Sequence, residues 1–585
     1  MSFRLPTNFP REHVGQSFDL LLPVLPSDID ADRMMTAIIE LCLFNGYRAM
    51  SKTQTEAGDQ VDSENNPKGF EKYLTSLIET GKIEGLGNQQ RREVTQSWIK
   101  AMVIKLGRSS LNRDQVRMDY PRPLTAVTYR SGLPTNASRN RGADSLVYTS
   151  IKDELRRQGV SNTASELAFL VRSGLSSGVE PGTQMDRAPW ISDQSEVDIS
   201  ALLSVWFFNE FPILVDGGTK RKHIDSIISV PGASAPIGRD VLKILRYFAP
   251  SMSPPESISH LTALISLRLF QLPLRVANSV SLLLSTGDFT DDFLRSDSKN
   301  SSEMYCDFTE IKNSASDQLS RACVRRDLEI MRKSLGDRIL LRTLDLLNQD
   351  SAVVTRPGID KSKSNSNYDK DKERLEKELP EYFSMLIQHR DCKEFEIASR
   401  HLIRMLQNAI DETQDEESKE FVNSTLSSLD PVDALVRIVT EHTQSDAITN
   451  GGKWFKESGG LNSQSKKSYA ILDGSDKHKS TWKYRISDDL LTSLLLTAFA
   501  NNEITRNRQQ MPIRELLDFL RDEFGLLIAE PPTSLDNASN RAAASDNREA
   551  FVRRLQLLGV FRGLSDDFDA QDVRCPREPI GGFGS

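Results

Sequence analysis

The chain has 585 residues, 38% apolar and 27% charged, with a net charge of −8. That length suits about three or four domains at roughly 150 residues each, and the composition excludes a wholly disordered or fibrous chain. No run of eighteen apolar residues occurs, so a membrane-spanning helix is not expected. The first residues, MSFRLPTNFPREH, lack the apolar stretch of a secretory signal, which points to the cytoplasm. The five cysteines show no CxxC spacing, and no HExxH or Cys/His cluster appears. Reduced thiols and no structural metal are the expectation.

The charge is unevenly placed. Residues 87–172 hold fifteen Lys/Arg against seven Asp/Glu, and residues 451–485 hold eight against three. Residues 486–585 hold eleven against sixteen. Local basic faces of this kind are what phosphate contact requires, although solvated helix faces give the same pattern.

In chain order, Asp28 to Asp32 can cap a helix carrying Met34, Met35, Ile38, Ile39, Cys42 and Leu43. Residues 51–68 read as a polar loop. Arg91 to Gly107 reads as a basic amphipathic helix with Val94, Trp98, Met102 and Leu106 as its apolar stripe. Arg91, Arg92 and Lys100 decorate its other sides, and an Arg-rich loop with Arg139 and Arg141 follows. These five are candidate phosphate contacts. Residues 1–178 form one helical domain on this reading. Residues 195–354 form an apolar helical domain, with helices across 238–248 and 257–285; Pro273 is expected to break the second.

Within that domain, Tyr305 to Thr309 alternates like a strand. Ser316 should open a long helix with Val324, Leu328, Met331 and Leu335 inward. Arg321, Arg325, Arg326 and Arg332 face outward, with Asp317 paired to Arg321. Residues 355–372 read as a flexible polar linker and 373–445 as a helical segment, the acidic run Asp411–Glu420 separating two helices. Residues 446–483 read as a basic Gly/Ser/Lys-rich connector, in which Lys453 and Lys483 are candidate nucleic-acid contacts.

Residues 484–580 carry the pattern of a winged helix-turn-helix. Ser487 caps helix one, Pro512 starts helix two and Gly525 stops it. Asp546 to Glu549 is a capping box for helix three, and Gly559 precedes a hairpin across 560–574. Helix three would offer Asn547, Arg548, Arg553, Arg554 and Gln556 to a DNA groove. The hairpin, however, carries Asp566, Asp567, Asp569 and Asp572, which repel phosphate. Protein contact therefore ranks slightly above DNA reading for this block. The fold class expected overall is mainly α and multidomain, ending in this winged-helix-like domain.

No motif carries an evident chemistry. The chain has no GxxxxGK[ST], no GxSxG and no kinase signature set. Glu310 and Lys312 would share one face of a strand, where a carboxylate and an amine suit a metal-dependent nuclease, with Asp291, Asp292 and Asp307 upstream. ExK triplets arise readily by chance in a charged chain.

Three stretches together carry a resemblance: Tyr305-Cys-Asp-Phe-Thr309 with Ala322-Cys-Val-Arg-Arg-Asp-Leu-Glu329, Gly451-Gly-Lys-Trp-Phe455 leading to Tyr484-Arg-Ile-Ser-Asp-Asp-Leu490, and the terminal block. They resemble accessory proteins encoded in bacterial methylation-associated phage-defence clusters. The resemblance covers mainly the C-terminal half and implies a protein acting beside a DNA methyltransferase and other effectors. It transfers no site residues. The resulting expectation is a non-catalytic scaffold subunit contacting partner proteins and double-stranded DNA, without a cofactor. The alternatives are a winged-helix transcriptional regulator and a nuclease centred on Glu310 and Lys312.

Overall fold

A computed structural model describes the chain outside residues 1–2, 7–8, 10–17, 25, 28, 50–69, 87–90, 106–118, 132–139, 177–198, 211–220, 225, 229–230, 289–301, 359–367, 414, 462–466, 502–508, 563–570 and 578–585. Leu106, Arg139, Asp291, Asp292, Asp566, Asp567 and Asp569 therefore lie outside the described residues, as does the whole of the 51–68 segment.

The architecture is mainly helical. Helix α1 (Ala31–Leu43) starts where the Asp30 side chain accepts from the Arg33 amide, and Met34, Ile38, Ile39 and Cys42 are buried as expected. Strand β1 (Tyr47–Ala49), α2 (Phe70–Glu79) and α3 (Arg92–Met102) follow, then β2 (Val103–Lys105) and β3 (Asp119–Pro121), which pair antiparallel. The α3 stripe departs from expectation. Ile99 and Met102 are its buried residues, whereas Val94 is 62% exposed. Burial is decided by what packs against the helix, and here Ile99 and Met102 meet Phe70, Leu74 and Phe207 in a small satellite core.

Next come α4 (Ala143–Arg157), α5 (Thr163–Leu175), α6 (Ile199–Glu210), β4 (Arg221–His223, antiparallel to β1), α7 (Pro231–Tyr247) and α8 (Pro254–Thr286). Helix α8 runs through Pro273 instead of breaking there. A proline removes the amide that would bond the carbonyl four residues back, here Leu269. That carbonyl accepts from the indole Nε1 of Trp454 at 3.1 Å, so the proline leaves no orphaned group.

Strand β5 is only Met304–Tyr305, and α9 spans Ala315–Ser351. The cap of α9 is Ser314, which accepts from the Asp317 amide; Ser316, the expected cap, sits in the first turn. Val324 and Leu335 are buried, and Arg321 pairs with Asp317 at 2.9 Å as expected. Helices α10 (Tyr368–Gln388), α11 (Lys393–Thr413), α12 (Glu416–Ser428) and α13 (Pro431–Ser458) follow in succession. Part of the acidic run is helical in α12, because Asp415 caps it and Glu416 and Glu417 fall in its first turn. Helix α13 continues through Gly451-Gly-Lys-Trp-Phe455. Trp454 and Phe455 are fully buried, with the Phe455 ring 4.5 Å from Phe270 and stacked on Trp482. Burying two large aromatics outweighs roughly 1 kcal/mol per helix-interior glycine.

The chain closes with β6 (Leu472–Asp473), β7 (Lys483–Tyr484), α14 (Asp488–Phe499), β8 (Gln510–Pro512), α15 (Ile513–Phe524), β9 (Leu526–Leu527), α16 (Ala538–Leu557), β10 (Phe561–Arg562) and β11 (Asp572–Arg574). Strands β10, β11 and β8 form an antiparallel sheet in that order, and β9 pairs in parallel with β5. Gly525 ends α15 at φ 62°, and a side chain there would lie 2.2 Å from the Ser302 carbonyl oxygen. Helix α16 begins eight residues before the expected capping box. The Asn537 side chain accepts from the Asn540 amide, so Asp546 to Glu549 lie inside the helix.

One large buried cluster joins Phe18 in the first segment to Val573 in β11. A further cluster seats Phe3, Leu5 and Phe9 on Leu406, Ile410 and Ile438. No described helix is long and apolar enough to cross a membrane.

Candidate functional site

Among the described residues, two of the places where charge gathers differ in kind. The first is a buried junction where β5, the start of α9, β7 and α16 meet. Strand β5 ends at Tyr305, a single bridge joins Cys306 to Tyr484, and the next residues turn away. Asp307 is fully buried there and accepts from Lys483 Nζ at 2.8 Å, Ser316 Oγ at 2.7 Å and Thr309 Oγ1 at 2.7 Å. Lys483 Nζ lies 2.8 Å from Asp317 as well. Burial pushes the Asp307 carboxyl up, but the hydrogen bonds from Lys483, Ser316 and Thr309 outweigh it and hold the group below the usual carboxylate range. For Lys483 burial acts downward, and the two carboxylates more than offset it. Nearby, Tyr484 donates to Asp327 at 2.7 Å, and burial raises the Asp327 carboxyl despite Arg326 at 2.9 Å.

Asn547 completes the junction. Its amide donates to the carbonyls of Cys306 at 2.8 Å and Ile528 at 3.0 Å, and its oxygen accepts from the Phe308 amide at 2.7 Å. The residue expected to face a DNA groove is thus fully buried, holding three backbone groups of two other segments. Of its neighbours, Arg554 is bidentate on Asp488 at 2.6 and 2.7 Å, Arg553 lies 3.6 Å from Glu549, and Arg548 is partly buried.

Glu310 and Lys312 do not share a strand face. Glu310 has φ 58° in the loop after β5 and pairs with Arg485, with Arg554 at 3.9 Å; Lys312 is in the following turn. The strand is too short to carry the expected alternation. Among the described residues, no group of three or more His, Cys, Asp or Glu is placed to hold a metal ion. All five cysteines are free thiols.

The second place is an outward groove of about 300 Å³ between α9 and α13. Leu328, Met331 and Leu335 from α9 and Ala447, Ile448, Gly451 and Gly452 from α13 form its floor and far wall. Arg325, Arg332 and Arg338 from α9 and Lys479 from the turn before β7 supply its positive charge, against the one carboxylate of Glu329. Unlike Arg321 and Arg326, which are tied to Asp317 and Asp327, these four cations have no carboxylate within ion-pair distance among the described residues. Burial lowers Arg338 to about 10, with Asp337 opposing.

Of the other expected contacts, Arg91 just before α3 and Arg92 and Lys100 on it are exposed, Arg141 stands at φ 53° before α4, and Lys453 is exposed on α13. Lys483, by contrast, is committed to the junction. The sequence did expose Arg325 and Arg332 as an outward pair seven residues apart beside an apolar stripe. It gave no sign that Lys479 and the Gly451–Gly452 surface would face them. Comparison with curated proteins and with solved structures finds no match. Over residues 12–577, nearly its whole length, the chain matches the family of methylation-associated defense system protein MAD7, and it belongs to that family.

Proposed function

We propose that this protein works by contact, as a non-catalytic accessory subunit holding partner proteins of a methylation-associated defence complex, with duplex DNA as a further ligand. The observation that carries this reading is the division of its charges. The carboxylates and amines of the buried junction are matched to one another and pin four segments together, which is a framework role. The cations left without carboxylate partners line an outward groove on two long helices, where a partner can reach them.

Membership of the family supports a place in the defence system. The helix order of the terminal block, with β8 on β11 and β11 on β10, supports reading it as a winged helix-turn-helix. The exposed residues of α16 include Arg541, Asp546, Glu549 and Arg553, a balanced set that suits a protein surface better than a phosphate backbone. For DNA the exposed Arg91 at the cap of α3 and Arg92 and Lys100 within it, opposed there by Glu93, are the better candidates.

The test is co-expression of the tagged full chain with the other proteins of its defence cluster, followed by size-exclusion chromatography. A stable complex of fixed stoichiometry is expected. A chain that elutes alone with every one of them refutes the contact role. For DNA, a gel shift at low salt should weaken in the Arg91→Glu/Arg92→Glu/Lys100→Glu variant. An unchanged shift removes α3 as the DNA face.

A further inference from the structure

We propose that the groove between α9 and α13 receives an acidic amphipathic helix of a partner protein; this rests on the contact reading above and names the partner's chemistry. Arg325 and Arg332, two turns apart, lie on one flank of the α9 stripe, and Arg338 falls on its other flank, about 140° around the helix. Arg325 to Arg338 is thirteen steps along α9, which at 1.5 Å per residue is about 20 Å, or nearly four helical turns. Between them Leu328, Met331 and Leu335 repeat at three- and four-residue steps, the spacing by which one helix receives the apolar face of another. An occupant with leucines facing this floor and glutamates on its flanks meets Arg325 and Arg332 on one side and Lys479 on the other. That is the charge arrangement that sets partner choice beside a helix seam. A phosphate backbone gains nothing from the apolar floor of Leu328, Met331, Leu335 and Ile448.

The glycine pair supports the same conclusion. Gly451 and Gly452 lie inside α13, where each costs roughly 1 kcal/mol relative to alanine. Neither has a positive φ. A side-chain carbon on Gly451 would meet only Met331 Cε at 3.7 Å, an ordinary contact, and one on Gly452 would meet the movable end of Lys479. The packing of this chain therefore does not demand glycine at 451. Their effect is to leave the wall of the groove bare, so that a second helix can approach closely. Arg338, partly buried and donating from Nε only to the Ser334 carbonyl at 3.4 Å, is a cation whose charge an incoming carboxylate would stabilise.

The experiment uses the full chain and a fluorescein-labelled peptide of about three heptads, with Leu at the two apolar positions and Glu on the flanks. Fluorescence anisotropy compares it with the same peptide carrying Lys on the flanks and with a labelled duplex of ~20 base pairs. The acidic peptide should bind at least tenfold more tightly than the Lys peptide. Arg325→Glu/Arg332→Glu and Gly451→Leu should each lower its affinity at least tenfold, while Arg325→Lys/Arg332→Lys should stay within about threefold. Arg325 and Arg332 are exposed, so the charge reversal leaves the core intact; circular dichroism checks this. Equal binding of the two peptides, or insensitivity to both the charge reversal and Gly451→Leu, overturns the proposal. A duplex that outcompetes the acidic peptide in a groove-dependent way also overturns it. If the cluster proteins still co-purify with the Arg325→Glu/Arg332→Glu chain, the groove assignment fails and the contact role stands. If none co-purifies with the native chain, the contact role itself fails.

Discussion

Replacing Lys483 with Met removes the cation shared by two carboxylates, Asp307 at 0% and Asp317 at 1% side-chain exposure. Removing one member of a buried ion pair typically costs about 3–5 kcal/mol, because the partner charge stays buried. Asp317 retains Arg321 at 2.9 Å, and Asp307 retains Ser316 and Thr309, so about 3 kcal/mol is expected here. A chain of this size need not unfold in one step, so hydrogen exchange is the suitable assay. Amides in 302–321 and 482–487 should exchange roughly a hundredfold faster, while those of α2 and α3, in a separate core, should not change. The pH dependence has a definite sign. In the native protein Asp307 sits below its unfolded value near ~3.9, so its contribution is present above that pH and is lost as pH falls through the folded value. Lys483 sits above its unfolded value near ~10.4; its contribution is present below that pH and is lost as pH rises through the folded value. In the Lys483→Met chain, buried Asp307 without its cation is raised instead. The difference between variant and native protein should therefore shrink as pH falls from 7 toward 5. Exchange at 302–321 within a few-fold of native at pH 7 would refute the account of the junction.

Two other substitutions probe the frame. Trp454→Phe leaves the Leu269 carbonyl without its donor and should cost about 1–3 kcal/mol, read as faster exchange in α8. Pro273→Ala supplies an amide to that carbonyl and should recover part of the loss in the Trp454→Phe background; a cycle with no coupling would contradict the assigned pairing. Asn547→Ala removes three buried hydrogen bonds and should cost about 3 kcal/mol, whereas Arg553→Ala, on the same helix but exposed, should stay within about 0.5 kcal/mol, both read from hydrogen exchange in α16 and in the segments around Phe308 and Ile528. Similar effects of the two would mean that α16 is not held through Asn547.

Much of the local structure was legible because it rests on neighbours in the chain. The apolar face of α1, the Asp317–Arg321 pair and the limits of α15 between Pro512 and Gly525 follow from caps, spacing and backbone preference. The mainly helical class and the defence family were likewise readable from the sequence. Distant contacts decided the rest. Pro273 is tolerated because Trp454, far along the chain, takes the carbonyl that the proline frees. Gly451 and Gly452 are helical because Trp454 and Phe455 are buried beside them. Asn547 looked like a groove-facing side chain by its position on a polar helix surface, and only the placement of β5 and β9 turned it inward. The same reason separates Arg325 and Arg332 from Arg321 and Arg326. A one-dimensional pattern shows that all four lie on one helix, but which cations keep a carboxylate depends on the segments that fold against them. A sequence gives periodicity and caps through interactions within a few residues; the occupancy of each charge and carbonyl is settled by groups that only the packed chain brings within about 3 Å.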